Sequence, residues 1–217
     1  TAATEAVTIR RALAAADPTA YQHFLADGLV RLADALRQAD RYGEAVTAAT
    51  EAVTIRRALA AADPTAHQYL LAYALVRLAE ALRLADRSGE AVTAAAEAVT
   101  IRRSLATADP TSHQHFLAHA LTSLADALRQ AGRYGEAVTA ATEAVTIRRA
   151  LAAADPTAYQ HFLADGLTSL ADALRLADRS GEAVTAATEA VTLYQQLGVD
   201  DGNAAIAEQI IRTDEPN

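Results

Sequence analysis

Residues 19–64 read TAYQHFLADGLVRLADALRQADRYGEAVTAATEAVTIRRALAAADP, and the 217-residue chain is this stretch repeated at an interval of 46. The triplet DPT stands at Asp17, Asp63, Asp109 and Asp155, and the run GEAVT begins at Gly43, Gly89, Gly135 and Gly181. Self-similarity at a period between about 20 and 50 residues marks a solenoid, in which a unit too small to bury its own apolar face stacks on copies of itself. The expected fold is all-α: an α-solenoid of stacked antiparallel helical hairpins.

Within each unit the pattern predicts two helices. Thr19 and Gln22 after Pro18 have the spacing of a capping box, repeated as Thr65/Gln68, Thr111/Gln114 and Thr157/Gln160. Leu25, Leu29, Leu32 and Leu36 then fall on one face of a first helix that should stop near Ala39. The sequence 40–43, DRYG, reads as a turn with Asp40 as the next N-cap. A second helix over about 44–62 should carry Ala45, Ala49, Ala52 and Val53 inward, then Ile55 and Leu59. Small residues there, with Gly28, Ala33 and Ala35 opposite, let two backbones approach closely. The pair Arg56-Arg57, repeated at Arg10, Arg102 and Arg148 with their neighbours, is expected to offset the negative end of the helix dipole, worth roughly 0.3–1 kcal/mol.

These signals divide the chain into one continuous array: a partial repeat over 1–18 with a second helix only, full pairs over 19–64, 65–110, 111–156 and 157–198, and a capping helix and tail over 199–217. In the tail, Gly198 should end a helix, 200–203 should turn, and 204–212 should place Ile206, Ile210 and Ile211 on one side. The chain opens inside a repeat and holds no Met, which reads as a piece of a longer protein.

Composition removes several function classes. Cys is absent, which excludes disulfides and thiolate metal sites. The 19 basic residues are all Arg, and the Ala/Arg bias reads as the imprint of a GC-rich bacterial genome, with a designed consensus array as the alternative. A net charge of −8 argues against nucleic acid or an anionic membrane as a partner. No apolar run approaches the roughly 20 residues that cross a bilayer and no signal peptide is visible, so the expected location is cytoplasmic.

The positions Leu32-Ala33, Leu36, Ala45, Ala49 and Ala52, with Tyr42 before the second helix, resemble the signature of the tetratricopeptide repeat. The same frame fits Leu78-Ala79, Leu82, Ala91, Ala95 and Ala98, and its copies from Leu124 and Leu170. Such repeats usually run about 34 residues, so about 12 extra must lengthen both helices, as in variants similar to kinesin light chain and to bacterial signalling arrays. The Trp of the family is absent, and Ser88 and Ser180 replace the aromatic in alternate copies. Longer variants often carry an Asn pair on the first helix. Here those places hold Val30-Arg31, Val76-Arg77, Thr122-Ser123 and Thr168-Ser169, and the Lys/Asn clamp for a C-terminal carboxylate is missing too.

The resemblance implies a right-handed superhelix whose first helices line a concave groove. By spacing, the groove face is His23, Asp27, Val30, Asp34 and Arg37. Its copies are Tyr69, Tyr73, Val76, Glu80 and Arg83; His115, His119, Thr122, Asp126 and Arg129; and His161, Asp165, Thr168, Asp172 and Arg175. The acid and the Arg persist in every copy, which predicts a ladder of ion pairs within and between repeats.

Residues 1–46 and 47–92 differ at eight positions, Tyr21/His67, His23/Tyr69, Phe24/Leu70, Asp27/Tyr73, Gly28/Ala74, Asp34/Glu80, Gln38/Leu84 and Tyr42/Ser88. All eight fall in the first helix and its turn, as partner discrimination would produce. The nearest approach to a metal set is His113, His115 and His119 with Asp165, read as a His-rich groove, and no metal or cofactor is expected. Ser123 or Ser169, near His119 or Asp165, is the only hint of a nucleophile; Ser123 lies four residues from His119, but helix interiors supply no oxyanion hole and no Gly-rich elbow is present, so no enzyme is expected. The expected function is a non-catalytic scaffold binding a peptide or protein segment. The alternatives are a self-associating array that stacks end to end through its uncapped first helix, and the ligand-sensing region of a larger signalling protein, with an enclosed apolar pocket around Tyr69, Tyr73 and His119.

Overall fold

The computed structural model describes residues 2–199 and 202–214. They form α1 (Ala2–Ala16), α2 (Pro18–Gln38), α3 (Tyr42–Ala62), α4 (Pro64–Leu84), α5 (Ser88–Ala108), α6 (Pro110–Gln130), α7 (Tyr134–Ala154), α8 (Pro156–Leu176), α9 (Ser180–Leu197) and α10 (Gly202–Asp214), with no strand among the described residues. The fold is all-α, and consecutive helices pack in a row. Two compact units are distinguished, Thr1–Leu105 and Ala106–Asn217. In the first, α1 packs on α2, α2 on α3 and α3 on α4, and α2 also touches α4. In the second, α6, α7, α8 and α9 follow the same order, α6 touches α8, and α10 closes against α8 and α9.

Within each unit, short links make the packed helices reverse on their predecessors. Asp63 alone separates α3 from α4. It is also the N-cap: its carboxylate accepts from the Ala66 N–H at 3.1 Å, with Pro64 in the first turn where a missing N–H is harmless. Asp17, Asp109 and Asp155 repeat the arrangement. The expected capping box is thus displaced by two residues. The DP pair supplies both the cap and the first helical residue, leaving Thr65 inside the helix.

The other link also differs from expectation. Asp40 does not cap α3; it sits in the left-handed region at φ 56°, as do Asp86 and Asp178 at 57°, and Gly132 takes that place at 73° in the third copy. Asp tolerates this conformation better than most side chains, and Asp40 also accepts a hydrogen bond from the Tyr42 hydroxyl at 2.6 Å. The helix opens after Arg41, which holds Glu44 in a two-pronged pair at 2.7 and 2.6 Å. That hydrogen bonding keeps the Glu44 carboxyl below its usual pKa, and Arg87–Glu90, Arg133–Glu136 and Arg179–Glu182 repeat it.

The first helices carry the large core residues: Leu29, Leu75, Leu121 and Leu167 are each sealed from solvent, with Leu25 and Leu36 and their copies beside them. The second helices contribute mainly small side chains, Ala45, Ala48, Ala49 and Ala52 with Val46 and Val53 and their copies. Gly28 has a different role from the expected backbone contact. A Cβ there would lie 2.7 Å from the Arg10 guanidinium, so a side chain, not a helix backbone, fills the space.

At the end of the chain α9 stops at Leu197, with Gly198 left-handed at φ 66°. Of the expected turn at 200–203, residues 200 and 201 lie outside the described residues, and Gly202 and Asn203 already belong to α10. Its buried stripe is Ala204, Ala207 and Ile210, and Ile206 faces outward.

Candidate functional site

The feature that organises the first-helix face is the first Arg of each pair. Arg56, expected at a helix end in solvent, is 2% exposed, and Arg102 and Arg148 are buried with it. One helical position separates Arg56 from Arg57, and that rotation decides their fates. Arg57 points outward to Glu97, its Nε at 3.1 Å, while Arg56 lies against α2. Outward pairs recur as Arg11–Glu51 at 2.7 Å and Arg149–Glu189 at 2.6 Å.

What meets the buried guanidinium changes from copy to copy. In the first repeat Arg56 is ion-paired with Asp27 and donates to the His23 carbonyl at 3.4 Å. In the second, Arg102 lies over the Tyr69 ring with its Cζ 4.3 Å from the centroid, and Tyr69 occupies the place of His23. Burial pushes the Arg102 pKa down, partly countered by Tyr69. In the fourth, Tyr194 stands where an Arg would be and donates to Asp165 at 2.8 Å. In the third, His119 replaces the acid, and Arg148 makes no hydrogen bond or ion pair among the described residues.

The rest of the predicted face is divided. Val30, Val76 and Thr168 are buried between helices, so the row is interrupted at its middle. His23 is half-buried with its ring centroid 3.9 Å from that of Phe24. Tyr73 is exposed and lies beneath Arg77, whose Cζ is 5.3 Å from the ring centroid. His161 is exposed and 3.4 Å from Asp165, which also accepts from Asn203 at 2.9 Å. The acid–Arg ladder forms in part. Asp34 and Arg37 are 3.8 Å apart, as are Asp126 and Arg129, Asp172 and Arg175 are 2.7 Å apart, and Arg129 reaches Asp172 in the next repeat at 3.1 Å. Glu80 pairs with Arg77 at 3.1 Å; burial raises its pKa, opposed first by Arg77 and then by Arg37 and Arg83.

A pocket of about 190 Å³ opens among α6, α7 and α8, lined by His115, Phe116, Ala118, His119, Arg148, Leu151, Tyr159 and Phe162. Of the expected sensor pocket it includes His119; Tyr69 and Tyr73 belong to the other unit and do not line it. No group of three or more His, Cys, Asp or Glu that could hold a metal ion occurs among the described residues. Ser169 donates to Asp126 at 3.5 Å. No helix among the described residues is long and apolar enough to cross a membrane.

Residues 117–156 match the tetratricopeptide-repeat family model. Residues 25–64 differ from that stretch only at Asp27, Gly28, Val30, Arg31 and Asp40, so the match carries to its copies. This stretch is a tetratricopeptide repeat, and its copies resemble it. Among solved structures, the array is similar to BtubC of P. vanneervenii at 18% identity over 99% of this chain and 84% of that one, with a TM-score of 0.67. It is similar to the kinesin light chain-type, nearly identical TPR-like repeats of Podospora anserina at 18% identity over 89% of this chain and 86% of that one, with a TM-score of 0.65. It is also similar to the apo form of RapI at 12% identity over 85% of this chain and 66% of that one, with a TM-score of 0.63. At these identities the likeness is one of fold. The search of curated proteins found no match. Tetratricopeptide-like arrays commonly mediate protein–protein interaction, and the buried Arg is the element of this one that sequence reasoning missed. The replacement of an Arg by Tyr194 in the copy that carries Asp165 was the available signal.

Proposed function

We propose that the array is a non-catalytic interaction scaffold that binds a peptide or protein segment across the exposed parts of its first helices. The observation that carries this reading is the placement of sequence difference: between residues 1–46 and 47–92 all eight differences fall in the first helix and its turn, and among them Phe24/Leu70 and Asp27/Tyr73 involve exposed side chains. Exposed aromatic side chains support it, with Phe24 and Tyr73 in the first unit and Phe162 in the second. So do ionic groups set beside them, Asp34 and Arg37, Glu80 and Arg83, and Asp172 and Arg175, a mixture of apolar and charged contacts suited to an amphipathic segment. The remaining positions of the proposed surface are His23, Asp27, Tyr69, His115, His119, Asp126, Arg129, His161 and Asp165.

Panning a random peptide library against the purified chain tests it. A shared motif that Tyr73→Asp, Phe24→Asp or Phe162→Asp discards while the fold persists by circular dichroism supports the scaffold. No enriched motif, or one retained by all three variants, refutes it.

A further inference from the structure

The buried Arg of each repeat is a fixed cost that the chain meets by supplying a partner. Arg56 has a carboxylate from Asp27 and Arg102 has the Tyr69 ring, and in the last repeat the Arg is exchanged for Tyr194. Arg148 has neither solution. It is 7% exposed, and its Nη1 is buried with no hydrogen-bond partner, as are the Nη1 atoms of Arg56 and Arg102; what Arg148 lacks is the carboxylate that Arg56 has and the ring that Arg102 has. The Arg148 Nη1 lies over Gly166, 2.6 Å from where a Cβ would be. Two acids influence it from a distance, Asp165 and Asp126, and both are committed elsewhere. Asp165 is held by Tyr194, Asn203 and His161, and Asp126 by Ser169 and Arg129. Burial drives the Arg148 pKa downward, as it does that of Arg102.

The pocket described above lies at this residue. Its other walls are apolar or aromatic: Phe116, Leu151, Tyr159 and Phe162, with His115 stacked on Phe116 at 3.6 Å between centroids. His119, at the place of Asp27, opens one side. A buried cation at the wall of a small apolar cavity selects an anion attached to an apolar body: the charge pairs with the guanidinium, and the body displaces water from the rings.

We propose that the pocket among α6, α7 and α8 is a binding site for a small aromatic or branched aliphatic monocarboxylate, whose carboxylate takes the place at Arg148 that Asp27 fills at Arg56. His115, His119 and Phe162 also belong to the proposed peptide surface, so the two readings are told apart by the peptide arm of the test and by Phe24→Asp and Tyr73→Asp, which lie outside the pocket and should leave acid binding unchanged. The pocket's volume suits one ring or one short branched chain. The intact chain supplies the test, by calorimetric titration with benzoate, phenylacetate and isovalerate at neutral pH, and with benzamide as an uncharged isostere. The expected result is saturable binding of at least one of the three acids, with benzamide about tenfold weaker or worse, since hydrogen bonds to a charged group discriminate by that much. His119→Asp, which copies the first repeat, should abolish acid binding by placing an internal carboxylate on Arg148. It should also raise the melting temperature, a readout that needs no ligand. Acid and amide binding alike, no saturation by any of the three acids, or unchanged acid binding by His119→Asp would each overturn the proposal. So would tighter binding of an N-acetylated peptide carrying the same aromatic group beside its carboxylate, which would make the pocket part of a peptide surface.

Discussion

Removing the carboxylate of Asp27 tests whether the buried Arg organises the repeat. In Asp27→Ala, Arg56 stays buried against α2, keeping only the long contact to the His23 carbonyl at 3.4 Å. Breaking a fully buried pair by deleting one partner costs roughly 3–5 kcal/mol, whereas an exposed pair is worth about 0–1 kcal/mol. This pair is asymmetric: the Arg56 side chain is 2% exposed and that of Asp27 is 50% exposed. Water can therefore reach the vacated place and solvate part of the guanidinium, which puts the expected loss near 2 kcal/mol. For a chain of this length that corresponds to a fall of about 4–8 °C in melting temperature. In Arg56→Leu the same Asp27→Ala change should cost under about 0.5 kcal/mol, so the cycle isolates the coupling. Urea melts followed at 222 nm measure the four stabilities, and hydrogen exchange in α2, α3 and α4 localises the loss. A coupling below about 0.5 kcal/mol in the double-mutant cycle would refute the view that the acid at this position exists to hold the Arg.

Four further outcomes follow from the same geometry. Asp63→Ala should cost about 1 kcal/mol through the lost cap while Thr65→Ala costs little, and equal losses in urea melts would restore the capping-box reading. Gly132→Ala, at φ 73° with no atom near the added methyl, should cost about 1 kcal/mol of backbone strain, seen as a lower urea midpoint at unchanged slope. Gly166→Ala should lower the urea midpoint, because the added methyl would lie 2.6 Å from the Nη1 and 3.1 Å from the Cδ of the buried Arg148, and the shift this forces outweighs the roughly 1 kcal/mol by which helix propensity favours Ala; a raised midpoint would show that Arg148 moves aside freely. Glu80 has a raised folded pKa, so between its unfolded and folded values the folded chain holds a proton that the unfolded chain releases. Its contribution therefore falls as pH rises through that window. Glu80→Gln should remove that slope from the melting temperature and leave the protein slightly more stable at neutral pH than the parent.

The helices were legible because two independent periods coincide in the sequence, the 46-residue repeat and the spacing of Leu25, Leu29 and Leu36 within it. Helix ends were less so: both DP and the following Thr are capping chemistry, and only the φ of Asp63, extended at −141°, decides between them. The buried Arg was illegible for a different reason. An Arg near a helix end is usually solvated, and nothing in RR says which of two neighbours faces in. The answer lies in residues 29 positions upstream in one copy and 33 in another, where Asp27 and Tyr69 solve the same problem by ion pairing and by ring stacking.

That observation changes what the differences between repeats mean. Two of the eight positions that distinguish the first two copies, His23/Tyr69 and Asp27/Tyr73, include a partner of a buried guanidinium, and a third, Gly28/Ala74, includes the glycine against which the half-buried Arg10 lies. Their variation is internal compensation before it is partner discrimination, because a change at one must be answered at another. Phe24/Leu70 carries no such obligation, which is why Phe24 and its copy Phe162 are stronger candidates for partner contact than Asp27. The same logic isolates the third repeat. Compensation is traceable at Arg56, at Arg102 and at Tyr194, and it fails at Arg148, beside a cavity lined by rings. A buried charge left without an internal partner next to open apolar volume is disfavoured in the isolated chain, and a carboxylate from outside would relieve it.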